Sequence, residues 1–398
     1  MRDIPRVVWI LAVGRFVNAA GSFVFTFLFL YLTGPRQLPL EQAGLISGAL
    51  GVGLLAGNFT GGWFGDRYGH RRVMLLASTV AGLVTLLIPW TPVALLAVST
   101  ALLGYSGATA GTSQGALTAL AVPAGDRRRA VAISRAAFNA GCVIGPPVGA
   151  LLAVEHFTAL FVIDGLVILA VRAVTAALLR AEPERQTTPT ADRPAGLWRS
   201  VLADRGLLML LPAIVMVDVV YRQLYSTLPV YLRDNGQQLT VYATVLAVGS
   251  GLILLLEIPV TMLLRRLPAA GIVAVGYALV GVGMALFGLG STAAVVIAAM
   301  VVLTAGEILY KTTATAHVLD RAPIALTGRY QGLYSGAATS GTMLAAPLGA
   351  LLYGVAPGAL WPVCAVLAVG AGVLAWRSGR ITVQADAAAP QPAPATAS

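Results

Sequence analysis

Nine ionisable residues stand inside long apolar runs of this chain: Arg15, Arg135, Asp164, Arg172, Asp218, Arg222, Glu257, Glu307 and Lys311. An isolated charge at the centre of a bilayer costs about 2.5–3.5 kcal/mol on insertion scales, so such groups face an interior, take partners and mark ion or substrate paths. Two pairs of opposite sign are spaced four apart, Asp218 with Arg222 and Glu307 with Lys311, which puts each pair on one helix face. Glu307 lies about fifteen residues into its run and Asp218 about twelve, near mid-bilayer at about 1.5 Å per residue. A carboxylate at that depth changes its proton affinity when a cation approaches or withdraws. Glu307 is therefore the first candidate for a proton carrier and Asp218 the second, with Asp164, Arg15 and Glu257 as further intramembrane charges. Lys311, the single lysine beside 25 arginines, is itself able to deprotonate when buried. Pairs that merely neutralise one another are the competing reading. Arg15, Arg135, Arg172 and Glu257 lie nearer the cytoplasmic side and are expected to snorkel or brace helices.

Aromatic and small polar residues in the same runs complete a candidate substrate cavity: Asn18, Ser22, Phe25, Tyr221, Tyr225, Tyr310, Tyr330 and Tyr334. A mostly apolar lining with few polar groups suits amphipathic or lipophilic compounds better than sugars.

The elements that must position these residues are membrane helices. A chain of 398 residues that is 58% hydrophobic and 11% charged, with a mean hydropathy of +0.83, cannot bury its apolar surface in water-soluble cores. At about 20 residues per crossing, twelve spans are expected at 7–32, 40–64, 73–90, 92–120, 130–154, 157–180, 206–232, 239–264, 271–290, 292–318, 328–354 and 357–377. With both termini cytoplasmic, 19 of the 26 Lys+Arg stay on that side and only Arg36 and Arg233 lie outside, the asymmetry that orients a polytopic protein. The same placement accounts for the net charge of +10 without nucleic acid. Cys142 and Cys364 fall in apolar runs and the three histidines are scattered, which gives neither a disulfide framework nor a metal site.

The chain also repeats itself at a constant offset of 200: Gly141, Pro147, Gly149 and Leu152 align with Gly341, Pro347, Gly349 and Leu352, and Arg129 with Arg329. Two parallel six-helix halves follow, 1–180 and 206–377, joined by a polar cytoplasmic linker at 181–205 and followed by a disordered tail at 378–398. The fold class is thus an all-α membrane protein of twelve helices in two parallel repeats.

After the second span stands Gly62-Trp-Phe-Gly-Asp66-Arg67-Tyr-Gly69-His70-Arg71-Arg72, which resembles the loop signature of the major facilitator superfamily. Its glycines permit close helix approach and a tight turn, and the resemblance implies a charge network of Asp66 with its cations that serves conformational switching. His70 stands where the family usually has a basic residue, a departure expected to weaken the network.

In the fifth span, Arg135, Asn139, Gly141, Gly145, Pro146 and Gly149 look like the Gly-Pro motif of the superfamily's twelve-helix drug/proton antiporters, and Gly306-Glu307 and Gly328-Arg329-Tyr330-Gln331-Gly332 recur in exporter-like members. The arginine that many antiporters carry before a Gln-Gly pair in the fourth span is missing ahead of Gln114-Gly115. The resemblance implies a monomeric, multi-pass transporter of the bacterial cytoplasmic membrane, with a small molecule and protons as partners and no cofactor. Its expected work is proton-coupled efflux of an amphipathic compound, as in multidrug resistance, and uptake of a nutrient or metabolite is the alternative on the same fold. No nucleophile–base set or phosphate loop points to an enzyme.

Overall fold

The computed structural model describes residues 4–153, 157–179 and 197–388, and every regular element among them is helical. Proline starts many of these helices. It precedes α1 (Arg6–Ala20), α3 (Leu40–Tyr68) and α5 (Val93–Leu120), where its fixed φ suits helix entry and its missing N–H costs no bond. Between them lie α2 (Val24–Thr33) and α4 (His70–Leu87). The first half closes with α6 (Arg127–Ala153) and α7 (Phe157–Leu178).

A short α8 (Leu197–Ala203) lies within the stretch expected to be linker, whose residues 181–196 lie outside the described set, as does residue 180 before it. The second half holds α9 (Arg205–Ser226), α10 (Leu228–Asp234), α11 (Leu239–Leu263), α12 (Ala269–Phe287), α13 (Ala293–Asp320), α14 (Thr327–Val355) and α15 (Leu360–Ala388). Ten of the helices are long and apolar enough to cross a membrane. The broken first span and the arginine-bearing α6 complete a count of twelve.

Two expected spans are interrupted. The first breaks at Gly21–Phe23, where α1 ends and α2 starts anew. The buried Asp164 carboxylate on α7 accepts a hydrogen bond from the Val24 backbone N–H at 3.1 Å and so satisfies an orphan donor at the head of α2. The seventh breaks at Thr227, with Pro229 in the first turn of α10. The last helix departs from expectation too: it runs on through Ala388, past the tail boundary at 378, because Ser378 is buried and Gly379 packs closely on Ala270 of α12. Residues 389–398 lie outside the described set.

The offset of 200 reappears as geometry. α6 packs on α1 and α14 packs on α9. A Cβ at Gly141 would meet the Phe16 carbonyl at 2.5 Å and Ala19 at 2.6 Å, while one at Gly341 would meet the Val215 carbonyl at 2.6 Å and Asp218 at 2.8 Å. Gly145 lies against the Ala19 and Ala20 carbonyls, and Gly149 against Phe23 and Phe27. The glycine strip is therefore a helix contact, made by removing side chains where backbones approach. The Pro146 side chain lies outside the described residues.

Replacing Gly145 with Leu forces side-chain atoms into the α1 backbone. We expect a loss of about 1–3 kcal/mol from overpacking, read as a lowered midpoint of thermal unfolding in detergent and a loss of transport. Gly111→Leu, at a glycine whose Cβ would meet nothing within 4 Å, should leave the midpoint unchanged. An unchanged midpoint in Gly145→Leu would mean that this face meets lipid.

Candidate functional site

At mid-depth the two halves are joined by one guanidinium. Arg135 on α6 places Nη1 3.0 Å from Glu257 Oε1 on α11, and its Nη2 donates to Glu307 Oε1 on α13 at 3.0 Å. Lys311 Nζ donates to the same Glu307 oxygen at 3.1 Å, and the Tyr221 hydroxyl on α9 donates to Glu307 Oε2 at 2.8 Å. Thr312 donates its hydroxyl to Glu257 Oε1. Glu257 and Glu307 are 0% and 3% exposed, so neither snorkels, and their charges are answered inside the protein. Gly306 makes room beside Glu307, because a Cβ there would meet the Gly276 carbonyl of α12 at 2.6 Å.

The expected pairing of Glu307 with Lys311 is present, and it is part of a larger cluster. The pairing of Asp218 with Arg222 does not form. Asp218 is 4% exposed and makes no hydrogen bond or ion pair among the described residues, although the charges of Lys311 and Arg222 act on it. Arg222 instead donates from Nε to Thr342 Oγ1 at 3.1 Å and lies over the Tyr225 ring. Arg135 and Glu257, expected to snorkel or brace helices apart from the central pair, belong to the cluster because an arginine side chain spans the gap between halves. Asp164 stands away from it as the cap of α2.

Of the cavity candidates, Tyr221 and Tyr225 meet through their hydroxyls at 3.4 Å, and the Tyr334 hydroxyl donates to the Lys311 carbonyl. Tyr310 and Tyr330 depart from expectation. Tyr310 is 1% exposed and packs edge-on against Tyr277 between α12 and α13, and Tyr330 is buried in the same hydrophobic core, so neither lines a cavity. Ser22 sits in the α1–α2 break, Asn18 Oδ1 and Asn139 Nδ2 are buried without hydrogen-bond partners among the described residues, and the Phe25 side chain lies outside them.

A second set of contacts seals the end of the bundle where α1 begins and α15 ends. Asp66, in the last turn of α3, accepts from the backbone N–H groups of Gly328 at 2.7 Å and Arg329 at 3.0 Å, at the head of α14. Two orphan donors and the positive end of the helix dipole thus meet a carboxylate. Gly62 is required because the Gly328 carbonyl lies where its Cβ would be, and Gly69 holds φ +90°, a left-handed turn. His70 takes part in this contact: its Nε2 lies 3.3 Å from Asp66, and its ring fills the space left by Gly65 and Gly328.

The expected network of arginines around Asp66 is otherwise dispersed. Arg67 stacks on Trp63 and Tyr68, Arg71 donates to the Leu179 and Ala176 carbonyls at the end of α7, and Arg72 is exposed. Arg127 adds a bond to the Leu319 carbonyl and a 3.1 Å pair with Asp320, and Arg128 donates to the Leu267 carbonyl. Among the described residues, the hydrogen bonds between halves run from this end up to Asn58 with Thr339. Beyond that level the described residues show no hydrogen bond between halves, although Met343 of α14 still lies beside Gly51 of α3.

Twelve helices in two matched halves, closed at one end by an acid at the head of α14, agree with the family model described as Major Facilitator Superfamily, which matches residues 11–346. The chain belongs to the Major Facilitator Superfamily. It is similar to the uncharacterised MFS-type transporter YttB of Bacillus subtilis (strain 168), 26% identical over 361 residues that cover 88% of this chain and 90% of the relative. It is equally similar to a Na(+), Li(+), K(+)/H(+) antiporter of Planococcus maritimus, 26% identical over 379 residues and covering 87% and 89%. Among solved structures, a bacterial homologue of the iron transporter ferroportin in its outward-facing state superposes with a TM-score of 0.73 at 18% identity, over 94% of this chain and 100% of that one. The superfamily membership makes this a multi-pass membrane transporter and not an enzyme.

Asp66→Asn keeps the shape of the seal and removes its charge. We expect about 1–3 kcal/mol less stabilisation of the closed end, the worth of a hydrogen bond to an ion. Transport should slow while equilibrium substrate affinity is preserved, and spin labels on α3 and α14 should report a wider distance between halves at that end. Unchanged turnover and distances would remove the role of Asp66.

Proposed function

We propose that the protein exports a small amphipathic organic compound across the bacterial cytoplasmic membrane by proton-coupled alternating access. The observation that carries this reading is Glu307 Oε1, bound at once by Arg135 of one half and Lys311 of the other. With both termini cytoplasmic, as the arginine distribution favours, the sealed end faces the cytoplasm and the gap between halves opens outward.

In this state an ionised Glu307 holds Arg135 and so helps hold the halves together. Protonation from the outer side removes half of the charge that answers Arg135, weakens the tie across the midplane, and favours parting of the halves at the sealed end. Release of the proton to the cytoplasm restores the tie. Asp218, buried and without an ion pair beside Lys311, is placed to receive that ammonium when Glu307 is neutral. A cycle of this kind needs no arginine in α5. Gln114 in that helix is occupied as a donor to the Leu11 carbonyl, and Arg135 supplies the cation.

The test is Glu307→Gln in proteoliposomes with an imposed pH gradient. Gradient-driven accumulation of substrate should be abolished, with substrate binding and downhill exchange retained. Accumulation retained by Glu307→Gln and lost in Asp218→Asn would move the proton to α9.

A further inference from the structure

The intramembrane charges divide by accessibility. Every acid is buried: Asp164 is 3% exposed, Asp218 4%, Glu257 0% and Glu307 3%. The cations of the central region all keep contact with open space, Lys311 with a side chain 24% exposed and Arg135, Arg15 and Arg222 partly exposed. The exposed charge of this region is therefore cationic, although the region as a whole is nearly balanced.

Two of these cations have no carboxylate. Arg15 on α1 lies over the Phe138 ring with its guanidinium 5.3 Å from the centroid, and Arg222 on α9 lies 5.6 Å from the Tyr225 centroid, with one hydrogen bond to Thr342. Neither forms an ion pair among the described residues. Both rings are open, Phe138 at 41% and Tyr225 at 47% exposure.

Helix phase and electrostatics place the two sets in one space. Arg135, Phe138 and Cys142 recur at i, i+3 and i+7 along α6, so the exposed ring and thiol share the face that Arg135 turns toward the other half. Cys142 is exposed and lies within electrostatic range of both Arg15 and Tyr225. Each half thus offers an exposed ring beside a guanidinium without a carboxylate, and the charge of Cys142 is felt by one member of each set, Arg15 and Tyr225.

We propose that this face binds an amphipathic organic oxyanion, a carboxylate or sulfonate on an aromatic body, with Arg15 and Arg222 holding the charged group and Phe138 and Tyr225 the apolar part. A planar guanidinium fork matches the oxygens of such a group, and the exposed ring beneath each one offers a stacking surface. Glu257 and Glu307 do not oppose the ligand, because their charges are turned to Arg135 and Lys311, and the Asp164 carboxylate is turned to the head of α2. The assignment rests on the transport reading for its role as substrate site, but its binding is measurable without transport.

The test uses the full chain in nanodiscs of neutral phosphatidylcholine, with Cys142 as reporter and Cys364 buried. Naphthalene-1-sulfonate should slow alkylation of Cys142 by N-ethylmaleimide several-fold, and trimethyl(1-naphthyl)ammonium of the same size should not. Arg15→Gln and Arg222→Gln should each demand roughly tenfold more sulfonate for the same protection, the loss of a charge-assisted hydrogen bond, while Arg15→Lys and Arg222→Lys, which keep the charge and lose the planar fork, should fall between the wild type and the Gln variants. Equal protection by both probes, or by the cation alone, overturns the site in the wild-type protein whether or not the variants fold. Protection that ignores both Gln substitutions, in variants whose unprotected labelling is normal, overturns it as well. Charge-selective protection without gradient-driven transport supports the site and sinks the coupling reading; coupled transport without such protection does the reverse.

Discussion

The Arg135 guanidinium is largely enclosed, and both carboxylates that answer it, Glu257 and Glu307, come from the other half of the molecule. Breaking a buried pair from one side leaves an uncompensated charge and costs about 3–5 kcal/mol. The contact between α6 and the helices α11 and α13 therefore prefers two arrangements, tied or released, over a graded series. The seal at Asp66 follows the same logic at the closed end with different parts: the carboxylate is on α3 and its partners are backbone donors of α14. Because the chain is duplicated, these are related interfaces, α3 with α14 and α6 with α11, and each has acquired its own polar chemistry on a common packing scheme.

What is legible in the sequence is local or periodic. The spans follow from runs of apolar residues, the Glu307–Lys311 pair from a spacing of four, and the duplication from a constant offset that survives as matching contacts at Gly141 and Gly341. What is not legible depends on contacts between distant positions. Arg135 reaches Glu257 and Glu307 across more than a hundred residues, and no periodicity announces which acid an arginine will find. Asp218 and Arg222 have the same spacing as the pair that forms, yet Thr342 and the Tyr225 ring take the arginine away.

Tyr310 falls outside the cavity because residue type does not say which neighbour covers a ring. The interruption at Thr227 does carry a signal in Pro229, and Gly21-Ser22 carries a weaker one at the first break. His70 escapes a reading by charge for another reason: its value lies in the shape that fits between Gly65 and Gly328 as much as in its basicity.

The breaks in the first helix of each half have a mechanical consequence. A continuous helix from one membrane face to the other is a stiff lever, and any tilt at its outer end is transmitted to its inner end. Here the rod is jointed. The segment α2 is held to α7 by Asp164, α1 is held by Gly141 and Gly145 of α6, and Gly149 meets the joint and α2 through Phe23 and Phe27. Bending at Gly21–Phe23 uncouples the two segments, so α2 is able to tilt without levering α1 away from the sealed end.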